Sequence, residues 1–97
     1  MSNFCPVKPK VIWKYQVPIG APIIHEIPQE SRILHVGEQH DVICFWVLVD
    51  PTSQMIKRKF DIVGTGHQII GPGDLYLGTV QMGIFVWHLF ELTPCFS

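Results

Sequence analysis

The sequence predicts an all-β domain, and three observations carry that prediction. Apolar residues either alternate with polar ones or form short runs, and these runs are rich in β-branched and aromatic residues. Turn residues interrupt the runs at regular spacing. No apolar stripe at helical spacing extends beyond one turn. We therefore expect about seven short antiparallel strands in a meander that closes into a small barrel or a two-sheet roll.

The first three predicted strands have distinct signatures. Val11–Val17 alternates apolar and polar residues, which is typical of a strand with one buried face. Ile23–Ile27 lies between two prolines, which favour a sheet edge because proline lacks a backbone donor. Arg32–Gln39 is the third strand. The polar connection Glu38–Asp41 then predicts a tight hairpin to the fourth.

The middle of the chain predicts a second hairpin. Val42–Val49 is apolar on both faces, as in a central strand that is covered on two sides. Asp50–Ser53 has strong turn chemistry, because proline suits the second position of a turn. We expect Met55–Val63 to return beside Val42–Val49 and to pair with it.

The last third of the chain begins with a glycine-rich segment, Gly64–Asp74, which we expect to be a loop. Tyr76–Gln81 is the sixth predicted strand. The turn Met82–Gly83 joins it to the last strand, Ile84–Leu92, which is again nearly apolar throughout.

Length and charge limit the classes of protein. Ninety-seven residues make one domain, 1–97, with residues 1–9 expected as a flexible or extended N-terminal arm. A net charge of −1 gives no basic surface for nucleic acid. The apolar runs are too short to span a membrane, and the N-terminus lacks signal-peptide features, so we expect a cytoplasmic protein. Only 15% of residues are charged, which favours an apolar subunit interface and a homo-oligomer.

The sequence contains few residues in arrangements typical of catalysis or metal binding. The three cysteines, Cys5, Cys44 and Cys95, are odd in number and widely spaced, so we expect them to be reduced. The five histidines do not fall at metal-ligand spacing, and we expect no metal and no cofactor. No serine lies in a nucleophile elbow, and the aspartates lie mostly in turns. The sequence therefore argues against an enzyme.

The best candidate for a ligand site is the glycine-rich stretch at the end of the fifth strand. Its glycines would let backbone N–H groups approach an anion, and its histidine adds a donor. Two cations on the preceding strand could supply charge. The simpler interpretation is a strand exit that needs positive φ. The predicted ligand-binding residues are Arg58, Lys59, Gly64, Thr65, Gly66 and His67.

Three tryptophans are a large aromatic content for a chain of this length. Trp13, Trp46 and Trp87 all lie in apolar strands, so we expect them in the core. Alternatively, one of them lines a cleft and stacks on a flat ligand, with a cation nearby for an anionic group.

Six blocks of sequence occur in order, namely Lys10–Tyr15, Ile33–Val36 with Gln39, Trp46–Pro51, Gly64–His67, Tyr76–Gln81 and Val86–Glu91. In that order they resemble a family of small proteins encoded by tailed phages and prophages, a domain of unknown function. The resemblance spans nearly the whole chain. It implies phage origin and expression in an infected bacterium, and it supplies no catalytic residues.

The resemblance favours a non-enzymatic binding protein that counters bacterial immunity, acting in the cytoplasm of the infected host. Sequestration of a nucleotide-derived immune signal is the leading hypothesis, because of the glycine-rich loop, the neighbouring cations and the aromatic residues. One alternative is a protein inhibitor of a host defence effector or nuclease. Another is a structural phage accessory protein.

Overall fold

The computed structural model of the chain describes residues 9–69 and 74–92. These residues form seven strands, so the chain is all-β, as predicted; none of them belongs to a helix that could cross a membrane. Residues 1–8 of the expected N-terminal arm lie outside the described residues, as do Cys5 and Cys95. The strands are β1 (Val11–Val17), β2 (Ile23–Pro28), β3 (Ser31–Gln39), β4 (Val42–Val49), β5 (Met55–Gly64), β6 (Leu75–Met82) and β7 (Phe85–Leu92).

The strands form two antiparallel sheets. One has three strands in the order β1-β4-β3, and the other has four in the order β2-β5-β7-β6. The strand with the most apolar sequence, β4, lies at the centre of the three-stranded sheet, as its composition predicts. No closed barrel is found among the described strands.

The strand order is not the expected meander. The β3–β4 and β6–β7 hairpins are present, but β4 and β5 lie in different sheets instead of pairing with each other. The turn after β4 carries the chain across, and the Asp50 carboxylate accepts bonds from the Thr52 N–H and hydroxyl at 2.9 and 2.6 Å. The physical reason is that β4 and β5 each have a large apolar face. Placing these faces opposite each other buries both.

The core lies between the sheets and is centred on two phenylalanines. Phe45 of β4 and Phe60 of β5 are fully buried, and their ring centroids are 4.6 Å apart. Every second residue of β4 and of β5 points into the space between the sheets, as expected from strand geometry, and the buried apolar residues among them belong to the same core. The other buried members of the core are Val17, Ile27, Ile43, Val47, Val49, Ile62, Val80 and Leu89.

The three tryptophans do not all lie in the core. Trp13 and Trp87 are half-buried and pack against it. Trp46 follows Phe45 in β4 and therefore points to the opposite, outer face of its sheet, where its ring lies 5.7 Å from that of His35. The prediction of a core position is wrong for Trp46, because strand alternation gives the inward place to Phe45.

A polar side chain also lies between the sheets. The ring of Tyr15 stacks on Phe45 at 5.4 Å, and its hydroxyl donates to the Glu26 carbonyl at 3.3 Å. Burial raises the pKa of the Tyr15 phenol above its ordinary value of 10.0, while the positive charge of Arg58 opposes this shift. The neutral phenol is therefore the form that the fold favours.

Neighbouring residues of β4 provide a test of which face is buried. Phe45→Ala removes a fully buried ring and should lower the free energy of unfolding by about 3–5 kcal/mol. Trp46→Ala removes a half-buried ring from the outer face and should cost only about 1–2 kcal/mol. Urea denaturation of both variants measures the difference. Equal losses would contradict the assigned faces of β4.

The buried phenol predicts a loss of stability at alkaline pH. Because the pKa of Tyr15 is raised in the folded state, this group contributes stability that is complete below about pH 10 and disappears as the pH rises through the folded-state pKa. Thermal unfolding of wild type and Tyr15→Phe should therefore show a steeper alkaline fall in wild type. Identical pH slopes in the two proteins would contradict the prediction.

Candidate functional site

The predicted glycine turn is formed, but its backbone donors bond within the protein. β5 ends at Gly64, and Gly66 has a positive φ of 88°, as expected for a tight strand exit. The Thr65 N–H donates to the Val86 carbonyl at 3.2 Å, and the His67 N–H donates to the Gly64 carbonyl at 3.0 Å. These two donors are therefore not available to hold an anion. Residues 70–73 of the predicted loop lie outside the described residues.

The imidazole of His67 covers the end of β5. A Cβ atom added at Gly64 would lie 2.8 Å from His67 Nδ1 and 3.1 Å from the ring of Trp87. A larger residue at Gly64 would therefore displace one of these rings. This packing explains the glycine through close approach of side chains, with no ligand required.

Arg58 lies between the sheets and is held by protein groups. Its Nε and Nη2 atoms each donate to the Glu91 carboxylate at 2.7 Å, and Nη1 donates to the Ser31 hydroxyl at 3.1 Å. The bond to Glu91 raises the pKa of the guanidinium, and partial burial opposes that shift. Because Glu91 is in β7 and Ser31 is in β3, Arg58 ties the two sheets together.

The structure does not bring the six predicted ligand-binding residues together. Lys59 follows Arg58 in β5 and lies on the outer face of the four-stranded sheet. At roughly 3.3 Å per residue, Arg58 is about 20 Å and Lys59 about 17 Å from Gly64 along the strand. Thr65 contacts the same outer face as Lys59, whereas Arg58 and the covered Gly64 face the other sheet.

Thr65 belongs to a row of hydrogen-bonded side chains on that outer face. Its hydroxyl lies 2.7 Å from His88 Nε2, and His88 Nδ1 lies 3.0 Å from the Thr79 hydroxyl, which in turn bonds to the Tyr76 hydroxyl. Thr65 also donates to the Val86 carbonyl at 3.4 Å, so it accepts from His88 Nε2–H. The row is satisfied within the protein, and His88 is a hydrogen-bonded structural histidine.

A larger concave feature lies elsewhere, at one end of the sandwich. The end of β1, the start of β2 and the β3–β4 turn enclose a cleft of about 590 Å³. Its volume is in the range of small-molecule sites. The lining is mainly apolar, with a few polar groups among the apolar side chains. The side chains that line the cleft include Val17, Ile19, Ile23, His25, Asp41 and Ile43.

His25 is the polar residue that the cleft shares with the core. Its ring lies 4.9 Å from that of Tyr15 and 6.2 Å from that of Phe60. Nε2 lies 2.7 Å from the Gln16 carbonyl, and a carbonyl oxygen only accepts, so Nε2 carries the proton. Nδ1 is then the ring nitrogen that remains for a ligand, as an acceptor in the neutral imidazole.

The rim of the cleft is a strained turn. His40 and Asp41 both have positive φ, 54° and 64°, which defines the two-residue hairpin type that usually contains Asn-Gly or Asp-Gly. The Asp41 N–H donates to Glu38 Oε2 at 2.7 Å. Non-glycine residues in this region of φ are uncommon and concentrate at functional sites. The turn thus places the Asp41 carboxylate at the cleft, although a glycine would adopt this backbone conformation at a lower free-energy cost.

Sequence reasoning missed this site because its residues are scattered along the chain. They come from three segments of the chain, and the polar residues among them form no spacing motif. The signal that was available is the hairpin connection itself, because His40-Asp41 occupies a position where Asn-Gly is favoured. As for metals, no group of three or more histidine, cysteine or acidic side chains that could hold an ion occurs within residues 9–69 and 74–92.

Comparison with known families places the chain. Residues 8–95 match the family described as Domain of unknown function (DUF7352), so the chain belongs to that family. No curated protein and no solved structure matches the chain.

Adjacent residues of β5 test the role of Arg58. Arg58→Ala breaks three hydrogen bonds and leaves Glu91 partly buried without its partner, so it should lower the free energy of unfolding by about 1–3 kcal/mol. Lys59→Ala changes an exposed residue and should stay within about 0.5 kcal/mol of wild type. Chemical denaturation of both variants is the measurement. Equal stabilities would show that Arg58 does not tie the sheets together.

Proposed function

We propose that the protein is a non-enzymatic binding protein that holds a small ligand in the cleft at the ends of β1 and β2. The observation that carries this proposal is the cleft itself, which combines a mainly apolar lining with an imidazole and a carboxylate. Small-molecule sites generally have this composition, because apolar walls supply affinity and a few polar groups fix orientation.

The chemistry of the lining favours a flat, weakly polar group with hydrogen-bond donors. Isoleucine and valine side chains suit the faces of a heteroaromatic ring, Asp41 accepts from an exocyclic amine, and His25 Nδ1 accepts from a ring N–H. A nucleobase has these properties. No Lys or Arg is among the described residues that line the cleft, so phosphates would remain towards solvent.

A biological role follows from combining the cleft with the sequence resemblance. We propose that the protein is of phage origin and acts in the cytoplasm of the infected bacterium by sequestering a nucleotide-derived immune signal. The six ordered sequence blocks support phage origin, and the nucleobase-compatible cleft supports the class of ligand. Sequestration requires only tight binding, because it lowers the free concentration of the signal.

Calorimetric titration with cyclic dinucleotides and cyclic ADP-ribose isomers tests the proposal. We expect at least one to bind, and Ile19→Trp, which fills the cleft, to weaken binding by at least about tenfold. Ile69→Trp is the matched control, because Ile69 is 45% exposed against 46% for Ile19 and does not line the cleft. Equal weakening of binding by both variants would show that the ligand does not bind in the cleft.

Asp41→Asn separates the carboxylate from the turn. Asparagine tolerates positive φ at least as well as aspartate, so the melting temperature should not fall, while affinity should fall about tenfold. The same variants are then compared in plaque assays in hosts with different defence systems. Defence inhibition that survives both cleft variants, with no nucleotide binding to wild type, would reject sequestration and favour a protein inhibitor.

A further inference from the structure

The four sheet edges differ in how they are protected from pairing with another strand. β1 carries Lys14, β3 carries Arg32 and Glu38, and β2 carries Glu26 between flanking prolines. Charges and prolines on edge strands prevent association, because pairing would bury a charge or meet a missing donor. The remaining edge strand, β6, has neither a charged residue nor a proline.

The hairpin that contains β6 has one charged residue, Glu91 near its end, and Arg58 holds that carboxylate between the sheets. No Asp, Glu, Lys or Arg occurs from Leu75 to Phe90. Large apolar side chains are exposed at both ends of the strand. At its start Leu75 is 57% and Tyr76 is 55% exposed. After its end, Ile84 in the turn is 89% exposed and Phe85 at the start of β7 is 59% exposed. β3 lies against the inner face of β6, with Val36 packed over Gly78. Exposed apolar groups beside an edge strand that has neither a charge nor a proline mark an interaction surface.

We propose that β6 pairs with β6 of a second copy of this chain, antiparallel and about a twofold axis. The pair joins the two four-stranded sheets into one continuous sheet. An antiparallel pairing centred near Thr79 and Val80 brings the start of one β6 opposite the turn that follows the other. Leu75 and Tyr76 of one copy then meet Ile84 and Phe85 of its partner, twice over.

This self-complementarity is the reason to choose a second copy as the occupant. A twofold contact brings a surface against itself, so like charges would repel, and this surface has none. The exposed apolar residues lie at opposite ends of the strand, as an antiparallel homotypic pair requires. The β-bulge between Tyr76 and Gly78 confines regular pairing to the second half of β6.

The proposed interface lies at a sheet edge and not on the outer face of β4. Most of the outer face of β4 is covered by side chains of the same sheet. Cys44 is fully buried there, and Trp46 is half-buried beside His35. That face therefore needs no partner to remove it from water.

Light scattering after size-exclusion chromatography tests the interface without any ligand. Wild type should be a dimer at micromolar concentration. The double variant Leu75→Lys with Ile84→Lys should raise the Kd of the dimer at least about tenfold, because each copy then places two lysines on the pairing surface. Ile24→Lys is the matched control. Ile24 is also 57% exposed and lies in β2, the opposite edge of the same sheet, so this variant should remain dimeric.

Hydrogen exchange gives a second measurement. Amides of Thr79–Gln81 that point away from β7 should become more protected as wild-type concentration rises, and not in the double variant. Circular dichroism checks that the double variant folds. If it does not fold, the single variant Ile84→Lys is measured in its place. A monomeric wild type, a dimer that survives the double substitution, or equal dissociation by Ile24→Lys would overturn the proposal. So would a monomer that pairs β6 only with a strand from a different protein.

Discussion

The contact between Phe45 and Phe60 is the interaction on which the rest of the structure depends. It joins the central strand of one sheet to a central strand of the other, with the ring centroids 4.6 Å apart and both side chains fully buried. Two apolar strand faces that are consecutive in the chain remove more surface from water face to face than side by side. The chain therefore crosses between the sheets after β4, and a meander is not formed.

Once these two rings face inward, strand alternation determines the roles of their neighbours. Trp46 faces outward because it is adjacent to Phe45, and Lys59 faces outward because it is adjacent to Phe60. Arg58, two residues from Phe60, faces inward. Arg58 is then enclosed between the sheets, where a guanidinium needs a carboxylate, and Glu91 of β7 provides it. A cation that sequence proximity assigns to a ligand thus becomes a structural tie.

The candidate sites differ in whether they depend on neighbouring residues or on residues far apart in the chain. The Gly64–His67 turn is a local feature, and its positive φ at Gly66 was predictable from residue type alone. Whether its N–H groups are free was not predictable, because their acceptors include the Val86 carbonyl of a distant strand. The cleft was not predictable at all, since its walls come from three separate segments of the chain that only the sandwich brings together.

The sequence by itself determined the class of fold, the seven strands to within a residue or two at each end, the β3–β4 and β6–β7 hairpins, and the central place of β4. The turn before β7 is Gly83–Ile84, one residue later than the predicted Met82–Gly83. These features depend on alternation, β-branched content and turn chemistry, which act over a few residues. Only the tertiary structure decided which sheet each strand joins, which partner Arg58 has, and where a cavity forms. Those outcomes depend on which apolar faces are buried together, and that choice is made between residues far apart in the chain.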